Sequence, residues 1–238
     1  MNTFIQKKHL LAEIRNGDFT HPKDREAVHF ATSKIDFASK QRVLDVGSGL
    51  GGTVDMLNQT VTTIGLDKDI QAIHYARNQY KDCKFLHGDV LDINQLTEET
   101  FDLFTLFSSF YAFEDQTKAC NALMGRAREK ADLLIFEYCS KTPFKGNLFD
   151  DDHSPFNPIA LDRLDTIFSP WSIVEIYDLS EMFFESYQSV LKTMREHKSP
   201  LCHHHGKEAF DRVYDSFTKL AVNLDTGVLG GCLVHAQT

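Results

Sequence analysis

Little in the chain points to a specialised structural class. Five cysteines, at positions 83, 120, 139, 202 and 232, form no C-x-x-C pair and are odd in number, which argues for reduced core thiols and against a disulfide scaffold or a zinc ribbon. There are only six prolines in 238 residues, and no low-complexity or repeating stretch that would read as a linker or an array. No apolar run approaches the length of a membrane span, and the segment Met1 to Arg15 lacks the continuous apolar core of a secretory signal. A cytoplasmic protein with no membrane partner is expected. Positive charge is also short, with 25 Lys and Arg against 34 Asp and Glu, for a net charge of -9. Such a field repels phosphate backbones, and the nearest basic cluster, Lys192, Arg195, His197 and Lys198, is interrupted by Glu196 at a helix end. A small molecule is therefore expected as the partner, and nucleic acid is not.

The most informative stretch is Arg42-Val43-Leu44-Asp45-Val46-Gly47-Ser48-Gly49-Leu50-Gly51-Gly52. Val43, Leu44 and Val46 form the apolar run of an inner parallel strand, and Gly47 and Gly49 let the backbone turn sharply and approach a ligand. Gly47, Gly49 and Gly52 satisfy the dinucleotide spacing G-x-G-x-x-G, whereas Asp45, Gly47, Gly49 and Gly51 satisfy the D-x-G-x-G-x-G spacing of S-adenosylmethionine sites. A second strand, Thr62 to Asp67, ends in an acid suited to the ribose of either cofactor. A third, Cys83 to Gly88, runs into Asp89 and Val90, where an acid beside an apolar side chain suits an adenine ring. That third feature favours the methyl donor over a dinucleotide.

VLDVGSGLGG, GLDKD, HGDV and FDLFTLFSS, in this order, resemble the successive motifs of class I S-adenosylmethionine-dependent methyltransferases. The chain is most similar to the small-molecule enzymes acting on amines, such as phosphoethanolamine and glycine or sarcosine methyltransferases. The finer likeness rests on Glu137-Tyr138-Cys139, Asp178-Leu179-Ser180 and the final strand from Gly227 to Ala236. Glu137 stands where those enzymes carry Asp, and Phe19-Thr20-His21-Pro22 replaces their Tyr-rich N-terminal segment.

The resemblance implies a Rossmann-like α/β fold: a seven-stranded, mostly parallel sheet, helices on both faces, and a helical cap inserted between strands six and seven. The pattern itself alternates strands and helices, as a doubly wound sheet requires. Helices are expected at Thr3 to Arg15, Lys23 to Phe37, Asp69 to Tyr80 and Asp115 to Lys130, with strands four and five at Phe101 to Ser108 and Asp132 to Cys139. A single methyltransferase domain over 1–238 is expected. Residues 20–140 form its cofactor-binding core, 140–170 an active-face loop containing Asp150-Asp151-Asp152 and a helix near Ile159 to Phe168, 180–226 the cap, and 227–237 the final strand.

By resemblance, the backbone around Asp45, Gly47 and Gly49 holds the methionine portion of S-adenosyl-L-methionine, and Asp67 the ribose, with Lys68 close by. Asp89 and Val90 contact adenine, and the Phe107 carbonyl meets the cofactor's ammonium. Gly51 and Gly52 read equally well as packing residues. Methyl transfer is an in-line displacement that asks mainly for alignment and water exclusion, and no metal is required. Glu137 and Tyr138, at the end of strand five, and Tyr111, just past strand four, are the candidates to orient the acceptor. Strand alternation lets only one of Glu137 and Tyr138 face the pocket. Cys202-His203-His204-His205 does not read as a metal site; it is expected to be a solvated loop between cap helices, the other reading being an acid–base role for one His at the pocket mouth. The expected activity is methylation of a small polar metabolite at an amine nitrogen. An O-methyltransferase for a hydroxylated ring or natural-product intermediate and a catalytically silent S-adenosylmethionine-binding protein remain the alternatives.

Overall fold

The computed structural model describes residues 3–146, 148 and 156–238; the acidic run at 150–152 lies outside them. Helices α1 (Thr3–Arg15) and α2 (Asp24–Thr32) precede strand β1 (Arg42–Val46). There follow α3 (Gly52–Asn58), β2 (Thr62–Asp67), α4 (Ile70–Gln79), β3 (Lys84–His87), the single turn α5 (Ile93–Leu96), β4 (Phe101–Phe107), α6 (Gln116–Met124) and β5 (Ala127–Ser140). The second half comprises the two-residue strand β6 (Ile159–Ala160), α7 (Leu164–Ile167), β7 (Ser172–Asp178), helices α8 (Ser180–Glu196), α9 (Lys198–His205) and α10 (Lys207–Asp225), and the last strand β8 (Gly230–Gln237).

The strands assemble in the order β3-β2-β1-β4-β5-β8-β7, with β6 added beside the end of β5. All pairs from β3 to β5 are parallel, and β8 runs antiparallel between β5 and β7. Five parallel strands thus present their carboxyl ends along one edge, where loops collect ligands. Their interior is apolar on both faces: Leu44, Phe104 and Ile135 are buried on one side and Val43, Leu103 and Phe136 on the other. The rule that sheets covered by helices read as continuous apolar runs holds here.

Several boundaries differ from the sequence expectation for identifiable reasons. Helix α2 stops at Thr32, whose Oγ1 donates back to the Val28 carbonyl at 2.9 Å, and a short 3-10 turn at Phe37–Ser39 replaces its expected last turns. Helix α6 ends before Gly125, and β5 begins at Ala127. Arg128 to Lys130, expected in the helix, instead form the polar start of the strand, where Lys130 takes a left-handed φ of 59° and the register against β4 shifts. The expected helix at 159–168 is divided among β6, a 3-10 turn and α7. The cap has three helices rather than two, because His203 to His205 continue α9 to its last turn. His204 Nδ1 and His205 Nε2 lie 2.9 and 2.7 Å from the two carboxylate oxygens of Glu13, tying α9 to α1.

Helices α8 and α10 pack their apolar stripes on each other and on the sheet, through Phe183, Tyr187, Met194, Phe210, Phe217 and Leu220. Phe183 stacks on Phe136 with ring centroids 4.7 Å apart, and it can do so because Gly231 lacks a Cβ that would fall 2.2 Å from the ring. Among the described residues no helix is long and apolar enough to cross a membrane.

Candidate active site

A cavity of about 600 Å³ opens along the carboxyl ends of the five parallel strands. Its lining follows the strand order: Asp89 and Val90 after β3, Asp67 and Lys68 at β2, Gly47 and Gly49 after β1, Ser108, Ser109 and Tyr111 after β4, and Tyr138 on β5. Neighbouring strands lie about 4.8 Å apart, so the row covers about 19 Å. The space suits an extended ligand with a small second molecule at one end.

The turn after β1 is built for close approach. Gly47 has φ +76°, and a Cβ there would stand 2.3 Å from Ser109 Cβ and 2.7 Å from its Oγ. The Gly47 and Ser48 N–H groups donate to the Leu66 carbonyl at 2.7 and 3.1 Å, and Ser109 Oγ donates to the Val46 carbonyl at 2.7 Å, so this turn is joined both to β2 and to the turn after β4. Gly51 and Gly52 do not line the cavity. A Cβ on Gly51 would meet Phe85, Tyr80 and Ala76, and one on Gly52 would meet the Asp18 backbone, so both serve helix packing.

Asp67 has its carboxylate in the cavity wall. Oδ2 accepts from the Gly49 N–H at 2.7 Å and Oδ1 from the Asp69 N–H at 2.8 Å, and Lys8 Nζ lies 3.8 Å away. Each carboxylate oxygen keeps a second acceptor site for a hydroxyl donor. Asp89 accepts from the Leu91 N–H at 2.9 Å and presents an exposed carboxylate beside buried Val90. Ser108, with a left-handed φ of 49°, brings a buried Oγ without a hydrogen-bond partner to the cavity wall. A buried orphan hydroxyl next to a cavity is the signature of a site completed by a ligand or water.

Three expected site residues stand elsewhere. Asp45 is 3 % exposed and absent from the lining; its Oδ1 accepts from Thr105 Oγ1 at 2.8 Å inside the sheet, and burial pushes its pKa up to about 7. Its place is in the strand beneath the turn. Phe107 does not line the cavity either: its ring packs on His21 and Phe136, and the chain reaches the cavity one residue later, at Ser108. Glu137 is fully buried and off the lining, while Tyr138 is on it. Strand alternation thus assigns the cavity face to Tyr138 and turns Glu137 to the backbone after β4.

Tyr138 meets Tyr111 edge to face, with centroids 5.5 Å apart, and its hydroxyl is paired with that of Tyr187 from α8. Burial raises the pKa of all three phenols, to about 12 for Tyr187, so they are neutral at physiological pH. Tyr187 and Phe217 belong to the apolar stripes of α8 and α10, and both line the cavity. Sequence reasoning passed over Ser108 and Ser109, whose signal was the break in an apolar run at the end of β4. It also passed over Lys7, Lys8 and Leu11 on α1, which close one side. Helical period alone does not say what a helix covers. The histidines of α9 are not in the lining, and among the described residues no cluster of three or more His, Cys, Asp or Glu is placed to hold a metal.

A family model described as a methyltransferase domain matches residues 37–217, which include the glycine turn, the acids at the ends of β2 and β3, and most of the cap. The chain belongs to the class I S-adenosylmethionine-dependent methyltransferases. No curated protein matches it. Among solved structures it is similar to phosphoethanolamine N-methyltransferase 2 of Haemonchus contortus in complex with phosphomonomethylethanolamine and S-adenosylhomocysteine, with a TM-score of 0.85 at 14% identity. That match covers 98% of this chain and 57% of the other, so the chain spans little more than half of that enzyme. It is also similar to the cyclopropane synthase MmaA2 of Mycobacterium tuberculosis (TM-score 0.82, 13% identity, 100% of this chain and 94% of the other). A third similar structure, from Galdieria sulphuraria, is described as a sarcosine dimethylglycine methyltransferase (TM-score 0.80, 13% identity, 98% of both chains). At such identities the likeness is one of fold.

The residues of this methyltransferase fit its cofactor. A close-approach glycine turn, a carboxylate with acceptor sites to spare at the end of β2, an acid beside an apolar residue after β3, and an orphan Ser108 hydroxyl lie in one cavity in the order that a nucleoside with an amino-acid tail requires.

Proposed function

We propose that the enzyme methylates a small polar metabolite at an amine nitrogen, with the acceptor held beyond Gly47 against Tyr111, Tyr138, Tyr187 and Phe217. The observation that carries this reading is the composition of that end of the cavity: four aromatic side chains from β5, the turn after β4 and two cap helices. When bound, the cofactor supplies an electrophilic methyl on a sulfonium. Asp67 would hold the ribose hydroxyls, Asp89 and Val90 the adenine, and Gly47, Gly49 and Ser108 the amino-acid tail. The aromatic faces steady cationic charge through the ring quadrupole, at roughly 0.5–2 kcal/mol per contact. Their bulk excludes water, and the paired Tyr138 and Tyr187 hydroxyls offer a lone pair to an amine N–H while the nitrogen points at the methyl. The structural likeness to enzymes named for phosphoethanolamine and sarcosine supports an amine; the likeness to a cyclopropane synthase keeps other acceptors in the test.

Incubation with S-adenosylmethionine carrying a trideuterated methyl, over a panel of amines, phenols and carboxylates, is expected to label amines. Their turnover should rise with pH as the free base becomes available. Tyr138→Phe is expected to lower kcat/KM for the best amine at least tenfold while S-adenosylhomocysteine affinity changes less than about twofold, because the hydroxyl acts on the acceptor only. Labelling of phenols with amines inert, and no effect of Tyr138→Phe, would overturn the reading.

A further inference from the structure

Among the described residues the buried Glu137 side chain forms no ion pair and does not line the cavity, yet two backbone N–H groups bond to it and two more stand near it. Oε2 accepts from the Tyr111 N–H at 3.0 Å and Oε1 from the Tyr138 N–H at 2.8 Å, and the Phe110 and Ser109 N–H groups are near enough to favour its charged form. The three successive amides 109–111 of the turn after β4 thus gather round one side chain, with the Tyr111 N–H bonded to it. The carbonyls of that turn are held separately, Phe110 by Gln116 Nε2 at 3.2 Å and Tyr111 by the Asn157 N–H at 2.8 Å. We propose that Glu137 is a positioning residue, whose carboxylate fixes the turn 109–111 and, through it, both halves of the active site.

The turn is the joint between those halves. Ser109 Oγ reaches the Val46 carbonyl at 2.7 Å and its Cβ fills the space that Gly47 leaves open, so the turn sets the shape of the cofactor loop. Tyr111 leaves the other end of the same turn and lines the acceptor side against Tyr138. Backbone N–H groups gathered around an acceptor form a polar concavity, and here the acceptor is a carboxyl side chain of the neighbouring strand. Burial pushes the Glu137 pKa up to about 8 against the pull of these donors, so the group sits under tension between desolvation and hydrogen bonding. An amide at this position retains one acceptor atom but sets an NH2 against backbone donors, and a methyl retains none.

The inference rests on reading the cavity as the cofactor and acceptor chamber, and two readouts keep the two claims apart. Hydrogen exchange of the full-length protein, followed by mass spectrometry, is expected to show the segment 108–113 exchanging at least tenfold faster in Glu137→Gln and faster still in Glu137→Ala, with β1 and β2 unchanged. Titration with S-adenosylhomocysteine is expected to show affinity falling in the same order, about fivefold or more for Gln. Glu137→Asp, which keeps the carboxyl group but is one methylene short, is expected to fall between wild type and Ala, and it serves if Ala does not fold. Exchange at 108–113 equal to wild type, or acceleration spread evenly over all strands, would overturn the positioning role. Failure of wild type to bind S-adenosylhomocysteine would instead overturn the cavity reading and leave the exchange result to decide on Glu137.

Discussion

Asp67→Ala is expected to weaken S-adenosylhomocysteine binding by roughly a hundredfold. Two charge-assisted bonds to ribose hydroxyls would be lost, each worth about 1.5–3 kcal/mol, and ~3 kcal/mol at the low end corresponds to a little over a hundredfold. A second effect acts in the same direction. The Gly49 N–H at 2.7 Å and the Asp69 N–H at 2.8 Å lose their acceptor, so the glycine turn loses one of its ties to β2 before any ligand arrives. Asp67→Asn separates the two contributions: it preserves one acceptor atom for the turn while removing the charge, and should fall between wild type and Ala. Isothermal titration of the folded variants measures this directly. Unchanged affinity in both would remove Asp67 from the site.

Gly47→Ala should be more damaging still, because it violates two constraints at once. The residue sits at φ +76°, a conformation that costs an L residue roughly 1–2 kcal/mol, and its new Cβ would stand 2.3 Å from Ser109 Cβ, a clash relieved only by moving one turn away from the other. Overpacking of this kind costs roughly 1–3 kcal/mol. The expected outcome is a Tm lower by roughly 5–15 °C and no measurable cofactor binding. Gly51→Ala supplies the contrast. It strains a comparable φ of +97° but meets Phe85, Tyr80 and Ala76 away from the cavity, so it should lower Tm while leaving more of the affinity of the folded fraction. Equal loss of binding in the two variants would contradict the division of labour between Gly47 and Gly51.

The parts of this enzyme that sequence made legible are those governed by local chemistry. Apolar runs ending in Gly or Asp marked β1 to β3, and their order put Gly47, Asp67 and Asp89 along one cavity, since right-handed crossovers leave few ways to arrange five parallel strands. The alternation rule said that only one of Glu137 and Tyr138 faces the cavity, but the choice between them depends on which face of β5 the cap covers, a fact of tertiary packing. The glycine motif pointed to the backbone around Asp45 and left the role of its side chain open. That side chain pairs with Thr105 in the neighbouring strand, a pairing between residues sixty positions apart that no local pattern announces. Arg128 to Lys130 read as the end of a helix because polar residues were not expected to open a central strand. Lys7, Lys8 and Leu11 reach the cavity because α1 packs Leu10 and Leu11 into the core, pairs Lys8 with Asp69, and is tied to α9 through Glu13 and to Asp24 through Arg15 Nη1 at 2.6 Å.

The most direct test of the proposed site is a crystal structure of this chain with S-adenosylhomocysteine. Adenine is expected between Asp89 and Val90, both ribose hydroxyls within hydrogen-bond distance of Asp67, the amino-acid tail over Gly47 and Ser108, and the sulfur facing the space enclosed by Tyr111, Tyr138 and Tyr187. A ligand bound with its sulfur turned away from those three tyrosines, or lying outside the cavity along the strand ends, would contradict that site.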